Sequence, residues 1–194
     1  MPAKKHNNIF SVTLLNSIYP LSKSLNSFLS QKMISSHYKK GDFIVKSGEV
    51  CDRIHIIRKG LVRGYFEYSG SEITTWVSVD SEIVTSISGF FKNAPSLEFI
   101  QCLEDTYTES LSFQDMDFAI KNYVEMARLN RILMETYYIS AEYRSFLARI
   151  PAAKDRYAYF TKIYNPETIK RLPKKYLASL LNMRPETLSR LEKI

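Results

Sequence analysis

Asp42–Asp80 reads DFIVKSGEVCDRIHIIRKGLVRGYFEYSGSEITTWVSVD. Four runs rich in apolar, β-branched or aromatic residues lie in it: Phe43–Val45, Ile54–Ile57, Leu61–Tyr68 and Ile73–Val79. They are separated by Ser47-Gly48, Lys59-Gly60 and Ser69-Gly70. Glycine suits such breaks because it accepts positive φ without a steric cost. Short strands at this spacing, parted by glycine turns, predict an antiparallel sandwich, roll or barrel. More strand material follows in FIQCLEDTYTESLSF, Phe99–Phe113.

On either side the pattern turns helical. Upstream, Leu21, Leu25, Phe28 and Leu29 recur at helical spacing, and the polar stretch SSHYKKGD reads as a break. Downstream, residues 115–121 predict a short helix and about 123–150 a long one. Met126, Leu129, Leu133, Thr136, Ser140, Tyr143, Leu147 and Ile150 alternate in steps of 3 and 4, a heptad seam with two polar members. Ile132, Ile139 and Phe146 make a second stripe one position away. One stripe would face the β domain and the other a partner copy; the alternative is a helix packed wholly within its own chain. The dimer face expected is the first stripe, Met126 through Leu147. Pro151 ends or bends the helix. AAKDRYAYFTKIY then reads as helix, NPETIKRLP as loop, and two short helices follow.

Composition narrows the function. With 45% hydrophobic residues the 194-residue chain can bury a real core. It has no apolar run long enough to span a membrane and no secretory leader, which predicts a cytoplasmic protein without a membrane partner. Cys51 and Cys102 are single and far apart, too few for a four-thiolate metal or iron–sulfur site. His6, His37 and His55 are dispersed, so no metal site is predicted, and no nucleophile or phosphate-loop motif stands out. An enzyme is not expected. The net charge of +7 is lopsided: residues 151–194 hold 10 Lys/Arg against 4 Asp/Glu, whereas residues 1–150 hold 17 against 16. A +6 terminal segment points to a polyanionic partner.

That segment contains LASLLNMRPETLSRL, Leu177–Leu191. Leu177, Ala178 and Leu181 face inward on one short helix. Asn182 suits a left-handed C-terminal turn, Met183 plugs the corner, and Pro185 stands at a first helical position with Glu186 at the positive helix end. Leu188 and Leu191 face inward on a second short helix. Two short helices about a tight turn predict a helix-turn-helix, whose second helix enters the DNA major groove. The expected DNA-contacting residues are Lys174, Lys175, Arg184, Glu186, Thr187, Ser189, Arg190 and Lys193. Arg190 would reach guanine, and Lys170, Arg171, Lys174 and Lys175 would meet phosphates.

Taken together, KKGDFIVKSGE…IHIIRKGLVR, the long helix and LASLLNMRPETLSRL resemble, in that order, the Crp/Fnr-type transcription regulators over about residues 20–194. The resemblance implies an α+β chain: an antiparallel β-roll of the cyclic-nucleotide-binding type with flanking short helices (1–122), a long dimerisation helix (123–150) and a small C-terminal helix-turn-helix domain (151–194) without a full wing. It implies a homodimer on double-stranded DNA with an inverted-repeat site, contact with RNA polymerase, and a small-molecule or redox signal.

The sequence departs from the family in four places. The cassette stretch DSEIVTSISGFFKNAPSLEFI has no Arg between Arg63 and Arg128, and Ser96-Leu97 stands near the family's Arg-Ser. A cyclic phosphate would lack its charge-assisted partner, so cyclic AMP is not expected as effector and no cofactor is predicted. The cysteines are too few for the redox members' cluster. Arg184 stands where a capping Ser or Thr is usual, and Pro185 replaces a common base-reading Arg. The usual β-wing after the recognition helix is missing from the sequence. An unidentified effector would lie between roll and long helix, against Trp76, Thr85, Ser86, Phe90 and Phe91; the alternative is that these are plain core. The rival function is a ligand-binding or protein-interaction module of the same fold that has lost specific DNA binding.

Overall fold

Two residues of positive φ, Ser69 (49°) and Gly70 (74°), join the longest strands, β4 (Leu61–Tyr68) and β5 (Ser71–Val79). A two-residue loop with both φ positive matches the twist of the strands it joins, and Tyr68 pairs directly with Ser71. The computed structural model describes residues 9–191. In it β4 and β5 belong to an antiparallel sheet of order β2-β7-β4-β5, with β2 at Phe43–Val45 and β7 at Phe99–Cys102. A second antiparallel sheet, β1-β8-β3-β6, comprises Ile34–Tyr38, Thr106–Ser112, Arg53–Lys59 and Ile83–Val84. The sheets close a β-roll over Ile57, Val62, Phe90, Ile100 and Leu111. Gly64 has a steric reason: a Cβ there would overlap the Trp76 indole on the neighbouring strand.

Helices surround the roll. In front come α1 (Phe10–Ile18) and α2 (Lys23–Lys32). Buried Glu109 accepts the Ser11 and Phe10 amides at 2.7 and 3.3 Å, capping the positive end of α1. Within the roll lies α3 (Ile87–Lys92), and after it α4 (Phe113–Asn122), N-capped by Ser112. The long helix is α5 (Val124–Arg149), followed by α6 (Ala153–Ile163), α7 (Pro166–Arg171), α8 (Lys174–Leu180) and α9 (Pro185–Leu191).

Two sequence expectations need correction. The polar stretch SSHYKKGD is not simply a break: Ser35–Tyr38 lies in β1. Being an edge strand it pairs with β8 alone, so it needs no strongly apolar pattern. NPETIKRLP is not a loop but holds α7. Asn165 accepts the Glu167 amide at 2.9 Å and Pro166 takes the first turn, where its missing N–H costs nothing.

The second core ignores the boundary expected at residue 151. Leu61, Val77, Val79 and Leu103 of the roll pack in one cluster with Leu147, Phe160, Leu172, Leu177 and Leu188. The C-terminal helices therefore rest on the outer face of the β4–β5 side of the roll. Ser179 fastens α8 to the edge strand β5: its hydroxyl accepts the Thr74 amide at 3.0 Å and donates to the Glu72 carbonyl at 3.3 Å.

Candidate nucleic-acid interface and effector cleft

The turn between α8 and α9 has the form its residues favour. Asn182 sits at φ 48°, and the Met183 amide reaches back to the Ala178 carbonyl at 3.0 Å. Leu177, Ala178, Leu181 and Leu188 are buried, and Met183 packs on the same cluster. Arg184 caps α9 with its carbonyl, which accepts the Thr187 and Leu188 amides at 3.0 and 3.2 Å. These are the ordinary first bonds of the helix, made without a side-chain cap. Arg184, Glu186 and Arg190 are exposed, and Thr187 and Ser189 are half-buried. Lys174 and Lys175 are exposed at the start of α8. These seven lie in one helix–turn–helix unit. Lys193 lies outside the described residues.

One arginine that the sequence reading passed over holds this unit in place. Arg156, on α6, donates to four carbonyls: Leu181 (2.8 Å) and Asn182 (3.1 Å) in the turn, and Ile150 (2.7 Å) and Pro151 (2.8 Å) at the end of α5. It ties the turn to the long helix. The only sequence signal was an arginine five residues after a helix-ending proline, which is too common to mark a role.

Arg171 is a correction. Grouped with the phosphate-binding cations, it instead bridges to Asp80 and Glu104 of the roll at 2.7 Å each. Glu104 and Asp80 hold its guanidinium charged, raising its pKa above the ordinary value. It fastens α7 to the roll and is not available to DNA.

The dimer residues divide. Met126, Leu129 and Leu147 are buried in the chain's own two cores, and Leu133 packs against the first. They cannot also serve a partner. Thr136, Ser140 and Tyr143 are exposed. The second stripe is the open one: Ile139 and Phe146 are each 48% exposed. Ile132, Thr136, Ile139, Tyr143 and Phe146 run in steps of 4, 3, 4 and 3, a seam rotated from the expected one.

Between the roll and α5 lies a cleft of about 540 Å³. Trp76 and Thr85 line it; Ser86, Phe90 and Phe91 do not. Phe90 is core, Phe91 is exposed, and Ser86 is fully buried behind the cassette. There Ser96 donates to the Ser86 hydroxyl at 2.9 Å, and the Ser96 hydroxyl also meets the Glu98 backbone. The Glu98 carboxylate accepts the Trp76 indole N–H at 2.8 Å, and burial raises its pKa. A hydroxyl pair and a buried carboxylate thus occupy this stretch, and neither offers a positive charge to a cyclic phosphate. The residues present do not fit that ligand. Both cysteines are buried free thiols, and burial pushes Cys102 up to about 11.

Sequence and structural comparisons agree with this geometry. Residues 35–123 match the cyclic nucleotide-binding domain. Beyond that segment, the chain shares its fold with several regulators. It superposes on a variant of CooA from Carboxydothermus hydrogenoformans with a TM-score of 0.71, at 16% identity, covering 93% of this chain and 82% of that one. For FixK2 from Bradyrhizobium japonicum the TM-score is 0.70, at 18% identity and 83% of each chain. For the catabolite activator protein of Thermus thermophilus it is 0.57, at 18% identity, covering 93% and 85%. No curated protein matches the chain in sequence. The fold expected from the motifs is therefore the fold found: a cyclic-nucleotide-binding-type roll, a long helix and small C-terminal helices. Among the described residues no helix is long and apolar enough to cross a membrane.

Proposed function

We propose that this chain is a homodimeric, non-enzymatic transcription regulator of the Crp/Fnr type that acts in the cytoplasm. Its C-terminal helix-turn-helix reads an inverted-repeat DNA site, and RNA polymerase is its partner in transcription. The observation that carries the reading is the outer face of α9. Arg184, Glu186 and Arg190 lie open to solvent while Leu188 anchors the helix below. Arg can bridge guanine O6 and N7, and Glu can accept from cytosine N4–H. Lys174 and Lys175 stand where flanking phosphates would run. The +6 balance of residues 151–194 supports the same reading. Dimerisation uses the Ile132–Thr136–Ile139–Tyr143–Phe146 seam, and an effector, where there is one, occupies the cleft between roll and α5.

Gel-shift titration with genomic fragments tests this against the rival reading of a module that no longer binds DNA. Retarded fragments at low salt, with affinity falling steeply as salt rises, support the regulator. Lys174→Ala and Lys175→Ala should each weaken all fragments alike and flatten the salt dependence by about one unit of slope. No retardation at any salt would leave the interaction module as the better account.

A further inference from the structure

The cleft between roll and α5 is long rather than round. Its α5 wall runs from Met126 through Leu133, Tyr137 and Ser140 to Arg144. Eighteen steps at the helical rise of about 1.5 Å span about 27 Å. One end lies under α1 and α4, against Leu15, Met33 and Met116; the other reaches Ile163 and Tyr164 after α6. Four of the six methionines in the sequence, Met33, Met116, Met126 and Met134, line this one cleft. Methionine is unbranched and polarizable, and a wall rich in it adapts to flexible apolar ligands.

Charge is confined to the far end. Arg144 is the only cation on the lining among the described residues, and no carboxylate lies within ion-pair distance of it there. Its guanidinium carbon lies 5.4 Å from the Tyr137 ring centroid, and it acts electrostatically on the Glu82 and Glu98 carboxylates without forming an ion pair with either. Glu82, the one acid on the lining, is occupied with the Val79 amide at 3.3 Å. Burial raises its pKa, so it opposes an incoming anion less than a solvated glutamate would. Tyr164, on which Arg144 acts electrostatically, adds a hydroxyl at this end.

We propose that the cleft binds a single-chain amphiphile with a carboxylate head, its head on Arg144 and its tail running along Met134 and Leu133 toward the methionine-rich end. This deepens the reading of the cleft as an effector site and does not depend on DNA binding. Arg144 lines, in addition, the groove of about 670 Å³ between β5 and the helix-turn-helix turn, together with Asn182, Met183 and Arg184. A head group on Arg144 would therefore be felt next to the DNA-reading unit.

The test is calorimetric titration of the full chain with dodecanoate, dodecanol and dodecylammonium below their micelle concentrations. Trp76, the single tryptophan, lines the cleft and reports occupancy by its fluorescence. The expected result is saturable dodecanoate binding with a change in Trp76 emission, weaker binding of dodecanol, and weaker still of the ammonium. Arg144→Gln should weaken dodecanoate by about tenfold or more while leaving dodecanol unchanged. Ser140→Phe, which narrows the cleft without touching charge, should weaken both. No saturable binding of any probe, equal or tighter binding of the ammonium, or an Arg144→Gln variant with wild-type dodecanoate affinity would each overturn the proposal. A chain that binds dodecanoate but retards no DNA would keep this inference and sink the regulator reading instead.

Discussion

Arg63 joins the roll to the helix-turn-helix unit, and removing it should loosen both. Its side chain is 1% exposed. The guanidinium is stacked between two rings, with its central carbon 4.0 Å from the Tyr65 centroid and 3.9 Å from that of Tyr176 on α8. It also donates to Gln101 at 2.7 and 3.0 Å and to Glu72 at 2.5 Å. Two desolvated cation–π contacts contribute about 1 kcal/mol each. Truncation to alanine also leaves a gap between the rings, which adds a cavity cost. Against this, the left-over Glu72 is 41% exposed and can turn to water, so the penalty of a stranded buried charge does not apply. Arg63→Ala should therefore destabilise the chain by about 3 kcal/mol. Urea unfolding followed by Trp76 fluorescence measures it. A double-mutant cycle with Tyr176→Ala should give a coupling of about 1 kcal/mol or more, because the two side chains touch. A loss below about 0.5 kcal/mol, the range of ordinary surface substitutions, or no coupling to Tyr176, would refute this account of the interface.

Three further outcomes are expected. Ile139→Glu with Phe146→Glu should yield monomers by sedimentation that still unfold cooperatively, whereas Leu147→Glu should unfold the chain, since that residue is core. His55 is buried and its pKa is lowered to about 4, chiefly by desolvation, with Arg53 adding to it. The unfolded chain takes up that proton near pH 6.5 and the folded chain only near 4. His55 thus favours folding fully above pH 6.5, and about 3 kcal/mol is lost as pH falls towards 4; urea titrations at pH 7.5 and 4.5 should show this slope, and His55→Gln should remove that part of it. Arg156→Ala leaves carbonyls of both the turn and the α5 end without their donor. It should cost about 2 kcal/mol and raise hydrogen exchange first at Leu181–Arg184.

Local chemistry explains which features could be read in advance. The strands Phe43–Val45 and Leu61–Tyr68 have the same bounds in sequence and structure because glycine or paired turn residues fence them. Asn182 and Pro185 encode the helix-turn-helix turn within a few residues of each other. Long-range features left no such trace. The heptad spacing of α5 is real, but whether Leu129 and Leu147 meet a partner or their own chain depends on where the roll and the C-terminal helices fall. Both stripes satisfy the same periodicity. Arg63, Arg156 and Arg171 look alike in sequence, as basic residues in ordinary surroundings. Only folding sets one between two tyrosines, one under four carbonyls and one against two acids. The cleft is likewise invisible along the chain, because its methionines come from positions 33, 116, 126 and 134.

The central claim is that α9 reads bases within a two-fold dimer, and selection of bound sequences from random duplex DNA tests it most directly. The account predicts an enriched inverted repeat whose half-sites lie in successive major grooves, about 34–36 Å apart. Arg190→Ala should lose about 1–3 kcal/mol on that site and relax the preference at one position per half-site. No enriched inverted repeat, or the same repeat selected unchanged by Arg190→Ala, would contradict the claim.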